Sequence, residues 1–364
     1  MSRPSLRNAP DPAEEDDFTA PSPTAETPVG PSRRQLALWG GGLTTLGIVL
    51  AGLGWAVPLG LAAQALVFLM GLGVLYAGLS RLAWATRGHR VDLLMGLCAA
   101  WLLLICAAGM LAPWLPLGEH VDVSASLLEP TYSRPDLLSV HPLGTNNFGL
   151  DLLARSIHGA RTSLTIALLA VAVGTLVGGA IGVIAGYFRS GVDSVIGIFT
   201  NALLAIPPLI LLIAISTFLQ PSVRNMALAL SLLTIPSMVR LARANTIAFA
   251  QREFVVAARL IGASRLRVML RELAPNVLPP VMSMAVVLIS VLIVAEASLS
   301  FLGLGIQAPE PTWGNMISEG EGGVMEQHPH IVLVPGTFLF LTVFAFNLLG
   351  ERAQQRWDPR SAKL

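Results

Sequence analysis

Eight long apolar runs divide the chain, at about 36–57, 59–80, 91–115, 163–187, 194–219, 226–248, 277–305 and 331–349, and each is close to or above the roughly 20 residues a membrane-crossing helix needs. Between the sixth and seventh runs the pattern changes. Phe254, Ala257, Ala258 and Ile261 recur at helical spacing, Gly262 suits a helix stop, and Ser264 suits the cap of a second helix carrying Leu266, Met269, Leu270 and Leu273. Pro275, lacking an N–H, is expected to end that second helix. The segment 249–280 therefore reads as a short helix, a bend and another short helix, with Arg252, Arg259, Arg265, Arg267 and Arg271 around it. Pro207, Pro208 and Pro236 fall within neighbouring runs and are expected to bend them. Residues 151–161 place Leu152, Leu153, Ile157 and Ala160 on one side and Arg155, His158 and Arg161 largely on another, the pattern of an amphipathic helix lying on the outer surface.

Composition fixes the class. Apolar residues make up 54% of the chain and charged residues 12%, against about 25% charge in soluble domains, so an all-α polytopic membrane bundle is expected. Basic residues near span ends stay on the cytoplasmic side. With the N-terminus inside, only Arg134, Arg155, Arg161 and Arg224 lie outside, so both termini and the basic segment 249–271 are expected in the cytoplasm. Residues 1–35, with Glu14, Glu15, Asp16 and Asp17, read as a disordered cytoplasmic tail rather than a cleavable signal. A hairpin of two spans over 36–90, a first core helix and outer loop over 91–162, a core over 163–350 and a cytoplasmic tail over 351–364 complete the expected organisation. The outer loop 306–330 carries Glu310, Glu319, Glu321 and Glu326, with Trp313 as a possible interfacial anchor.

The inventory of chemistry is short. A phosphate-cradling loop needs a lysine after its glycines, and the only lysine is Lys363. No HExxH, CxxC or GxSxG pattern is present, and Cys98 and Cys106, about 12 Å apart along one expected helix, cannot pair. No catalytic residue, cofactor, metal site or nucleic-acid partner is expected; membrane lipid is. Gly174, Gly178, Gly182 and Gly186 line one helix face, which reads as a close-packing stripe, with lining of a passage as the alternative. Glu296 is an acid deep in an apolar run, expected to hydrogen-bond a neighbouring helix, with substrate contact and proton coupling as the other readings.

Four separated signatures go further. Gly144, Thr145, Gly149, Asp151, Arg155, Gly159, Arg161, Ser163 and Leu164 form one; Glu253, Ala257, Ala258, Gly262 and Pro275 a second; the run Glu296 to Gly305, EASLSFLGLG, a third. Asn347, Leu348, Leu349 and Gly350 with Asp358, Pro359 and Arg360 form the fourth. Over roughly 91–360 the chain resembles the C-type permease subunit of dipeptide and oligopeptide ABC importers. That resemblance implies a six-helix permease core, to which the 36–90 hairpin is an addition, with no enzymatic activity of its own. It also implies a related B-type permease, two ATP-binding subunits and an extracytoplasmic solute-binding protein as partners. Glu253, Phe254, Ala257, Ala258, Gly262 and Pro275 would then couple the spans to the ATPase, and peptides would be the cargo, with nickel complexes or oligosaccharides as alternatives. Val256, Glu272, Ala274, Asn146 and Leu150 depart from the family pattern, and Ile198 with Asn201 reads as the joint removal of an intramembrane ion pair. A secondary transporter, the rival class, would need an ion-coupling site and an internal repeat, and neither is visible.

Overall fold

A computed structural model describes residues 32–56, 61–87, 92–136 and 138–357. The tail expected at 1–35 therefore lies almost wholly outside the described residues, as do the turn near Pro58 and Asp358, Pro359 and Arg360 of the C-terminal signature.

The chain divides into two units, residues 1–93 and 94–364. In the first, α1 (Arg33–Ala56) and α2 (Leu61–Arg87) pack as an antiparallel pair. Small residues let the backbones approach: Gly47 sits against Leu75, and Gly71 against Ala51.

The second unit begins with α3 (Leu93–Leu111), and an irregular stretch with a lone bridge between Thr145 and Asp151 leads to α4 (Leu152–Phe188). Then come α5 (Ser190–Ala205), α6 (Pro208–Ser216), α7 (Val223–Phe249) and the short α8 (Glu253–Leu260). A turn α9 (Arg265–Arg267), a π-helical turn Val268–Leu273 and α10 (Ala274–Phe301) run on as one helix, followed by α11 (Trp313–Ser318), α12 (Val324–Gln327) and α13 (His330–Trp357).

Among the described residues six helices are long and apolar enough to cross a membrane: Arg33–Leu53, Leu93–Trp114, Leu152–Phe188, Val223–Phe249, Arg265–Phe301 and His330–Arg356. The expected span 59–80 begins on residues outside the description, and α2 is not among these six. The expected span 194–219 is broken: α5 and α6 meet at 89° where Pro207 and Pro208 interrupt the hydrogen bonding. Packing shows that the pair still crosses as one. Gly174 faces Thr234, Gly182 faces Ala242 and Gly186 faces Thr246, so α4 and α7 run parallel. Asp193 at the start of α5 bonds Arg243 near the end of α7, while Ser216 and Leu219 lie beside Met226 near its start. The chain must therefore return to the opposite side between α4 and α7, and the second unit holds six crossings around a core of α4, α7 and α10, with Ile166, Ala170, Leu230, Met238, Leu292 and Ile293 buried at its centre.

Three local expectations change. Pro275 does not end a helix; it lies inside the continuous helix Arg265–Phe301, and the π-helical turn Val268–Leu273 just before it shifts the bonding register where its N–H is missing. Residues 151–161 are not a separate surface helix but the cap and first turns of α4, with Arg155 buried. Trp313 is fully buried, donating from Nε1 to the Ser156 carbonyl at 3.0 Å, so it is not an interfacial anchor. Pro236 lies within α7, which continues through it.

Candidate coupling site and transport core

The segment between α7 and α10 forms a knob held on a small core of its own. Val255, the inward residue of α8, is buried with Ala250, Val268 and Leu273, and Tyr187, Phe249, Ala258 and Ala263 pack around them. The ends of α4, α7 and α10 thus meet beneath α8, and the Arg259 guanidinium stands over the Tyr187 ring, 5.1 Å from its centroid. The stop after α8 is closed by two hydrogen bonds: Ala263 N–H donates to Ala258 O at 3.0 Å and Gly262 N–H to Arg259 O at 3.0 Å. That closure needs the left-handed backbone at Gly262, φ +91°, which glycine adopts without penalty. Ser264 then accepts from Arg267 N–H at 3.4 Å and starts the next helix.

The expected coupling residues divide on this scaffold. Glu253, Phe254 and Ala257 are exposed, Gly262 caps and Pro275 is exposed at the next helix, but Ala258 turns half inward to the small core. The most exposed apolar side chains of the knob are Leu260, which the spacing argument passed over, and Ile261, which it included, at 83% and 87% exposed. Ile261 had been placed on the helical stripe, and Leu260 follows directly from the stop at Gly262, beyond which the apolar side chains have nothing of this chain to cover them.

Gly174, Gly178, Gly182 and Gly186 are all buried along the α4–α7 contact. A Cβ at Gly178 would lie 2.7 Å from Met238 Cβ, and one at Gly182 2.6 Å from Ala242 Cβ, so the helices are closer there than any larger residue permits. Glu296, fully buried on α10, accepts from Ser163 Oγ on α4 at 2.8 Å and from Ser300 Oγ at 2.7 Å. These bonds join two core helices at the end far from the knob.

At that far end two loops are tied through charge. Arg155 donates to Glu319 at 2.5 Å and to the His120 carbonyl at 3.2 Å, and Asn146 donates to the same Glu319 carboxylate at 3.1 Å. An aspartate at 146 would set a second carboxylate against Glu319, whereas the amide supplies a donor. Burial pushes the Glu319 carboxyl above its usual range, with Arg155 and Asn146 opposing. Asp151 caps α4 by accepting from Ala154 N–H at 2.7 Å, and His141 bridges it, 2.8 Å from Asp151 and 3.1 Å from Glu129. Burial pulls His141 down, but its two carboxylate partners outweigh that and leave it raised. Glu319 is thus committed inside the protein rather than offered to a partner.

Comparison with known proteins fits this architecture. Residues 178–363 match the family described as binding-protein-dependent transport system inner membrane component. The chain belongs to this family. It is therefore a multi-pass inner-membrane permease component, not itself catalytic. The permease is 34% identical over 278 residues to the di/tripeptide transport system permease protein DppC of Pseudomonas aeruginosa, covering 76% of this chain and 91% of that protein. It is 34% identical over 222 residues to the glutathione transport system permease protein GsiD of Pectobacterium atrosepticum, covering 61% and 73%. With the probable D,D-dipeptide transport system permease protein DdpC of Escherichia coli it shares 31% over 284 residues, covering 78% and 92%.

One set of polar residues in the permease went unread in the sequence. Arg240 and Arg243 lie within the span α7; Arg243 forms a two-bond pair with Asp193 of α5, and Arg240 donates to Asn201 Oδ1 at 3.1 Å. Asn201, read in the sequence with Ile198 as the joint removal of an ion pair, is the hydrogen-bond partner of a charge on the next span. The apolar run around these arginines concealed them, since a hydropathy pattern averages two charges away.

Proposed function

We propose that this permease forms half of the translocation pathway of a peptide importer and passes the work of ATP hydrolysis, done by two separate ATP-binding subunits, into alternating access. The observation that carries this reading is the knob: a short helix on its own small core, joining the ends of α4, α7 and α10, with Phe254, Leu260 and Ile261 uncovered. A rigid element placed at the ends of three spans can convey a push to all of them, and an exposed apolar rim is what a cleft on another subunit would cover. Glu253, Phe254, Ala257, Leu260 and Ile261 would enter that cleft, with Gly262 fixing the angle and Pro275 following at the entry to α10. The charge bias of the loops supports a cytoplasmic knob and cytoplasmic termini. A related B-type permease would complete the pathway, and an extracytoplasmic solute-binding protein would deliver the cargo to the Asn146–Glu319 end. Peptide cargo is supported by relatives named for dipeptides, tripeptides and glutathione.

Gly262→Leu tests the coupling. A Cβ at 262 meets nothing of this chain within 4 Å, so the cost within the subunit is the left-handed backbone, about 1–2 kcal/mol. The variant is expected to reach the membrane and assemble but to lose ATP-driven peptide uptake in proteoliposomes. Full uptake by the assembled variant would contradict the docking of this knob.

A further inference from the structure

On the flank formed by α5 and α7, Asp193, Gly197, Thr200 and Asn201 meet Arg240 and Arg243 around a cavity of about 170 Å³. The charges there do not cancel. Arg243 is matched by Asp193, but Arg240 donates to the neutral amide of Asn201, so one positive charge is left over. Arg240 stands nine residues before Phe249, the end of α7, which is about 14 Å along the axis of a helix long and apolar enough to cross a membrane. It is exposed on this chain. A guanidinium at that depth is not left against lipid tails; such residues face a bundle interior or a water-filled cavity. A second, independent feature agrees. Four residues beyond Asn201, α5 ends and the chain breaks through 89° into α6, and interrupted backbone at membrane depth is tolerated where protein covers it or it lines a water-filled cavity.

We propose that this flank lines the solute path and that Arg240 is the seat for the carboxylate of the transported solute. The proposal rests on the peptide-importer reading, under which the group received is the C-terminal carboxylate of a short peptide. A guanidinium presents parallel N–H donors that match a carboxylate, and Asn201 holds it on the path side of α7 while the Arg243–Asp193 pair fixes the neighbouring turn. The seat is a single charge without a closed pocket, which suits a site that must release its ligand onward.

The test uses the assembled transporter in proteoliposomes, with Cys98 and Cys106 replaced by alanine and Gly197→Cys as a probe. A Cβ at Gly197 meets nothing within 4 Å, so the thiol is accommodated. An anionic thiosulfonate reagent is expected to modify it about tenfold faster than a cationic one, the scale of one charge-assisted hydrogen bond. Dialanine should slow that reaction while dialaninamide does not. Arg240→Gln should abolish both differences, and Arg240→Lys should keep the first. Failure of both reagents to react, equal rates, equal effects of the two peptides, or differences that survive Arg240→Gln would each overturn the seat. ATP-driven peptide uptake by the unaltered transporter separates the two readings: if uptake proceeds while the labelling result fails, the seat is wrong and the importer stands; if the unaltered transporter takes up no peptide, the importer reading fails first.

Discussion

Single residues set how closely the core helices approach and how the far-end loops are held. At Gly182 an added Cβ would press on Ala242 and on the Val239 carbonyl, each at 2.6 Å, so Gly182→Val should cost about 1–3 kcal/mol by overpacking. Gly179, outside the stripe, has open space at its Cβ, so Gly179→Ala should leave the thermal midpoint of the purified assembly unchanged while Gly182→Val lowers it. Equal midpoints for the two variants would contradict the packing role. His141 makes a pH-dependent clip. Its value is raised above the ordinary 6.5, so the stabilisation it gives is fully present below that value and is lost as pH rises through the raised one. Amide exchange over residues 144–152, corrected for intrinsic rates, should show protection held below the ordinary value of 6.5 and falling as pH rises above it, and His141→Gln should remove that slope.

Among elements, the knob was partly legible in the sequence. Helical spacing located α8, and Gly262 and Ser264 marked a stop and a restart that the backbone realises with two hydrogen bonds and a cap. What spacing could not give was the direction of each face. Val255 is the buried residue and Ala258 half follows it, because the end of α4 supplies Tyr187 and the π-helical turn before α10 supplies Val268 and Leu273 on that side; this is tertiary information. Pro275 misled for a related reason, since the π-helical turn just before it carries the helix through a residue that cannot donate. The uncovered rim gives a prediction of its own. Leu260→Glu with Ile261→Glu, at positions this exposed, should change the stability of the subunit by no more than about 0.5 kcal/mol. Copurification of the ATP-binding subunits and ATP-driven uptake should nevertheless fall at least about tenfold, as expected when charge is forced into an apolar contact. Unchanged copurification would place the contact elsewhere.

For the whole molecule, the apolar runs revealed a polytopic helical protein and nearly all of its crossings, because hydrocarbon thickness imposes a length that composition displays directly. The break between α5 and α6 was signalled by Pro207 and Pro208, but only the parallel packing of α4 on α7 establishes that the broken pair is a full crossing. Trp313, Arg155 and Glu319 looked like surface residues and are interior ones, since loops at the far end fold over the start of α4 and bury them. The central claim remains mechanical: a bundle without a nucleotide site is moved through a knob on the cytoplasmic side. The most direct measurement is labelling of Ala257→Cys, with Cys98 and Cys106 replaced by alanine, using a membrane-impermeant thiol reagent. The account predicts no reaction on intact cells, rapid reaction in inside-out vesicles stripped of the ATP-binding subunits, and protection when those subunits are restored; reaction from outside intact cells would contradict it.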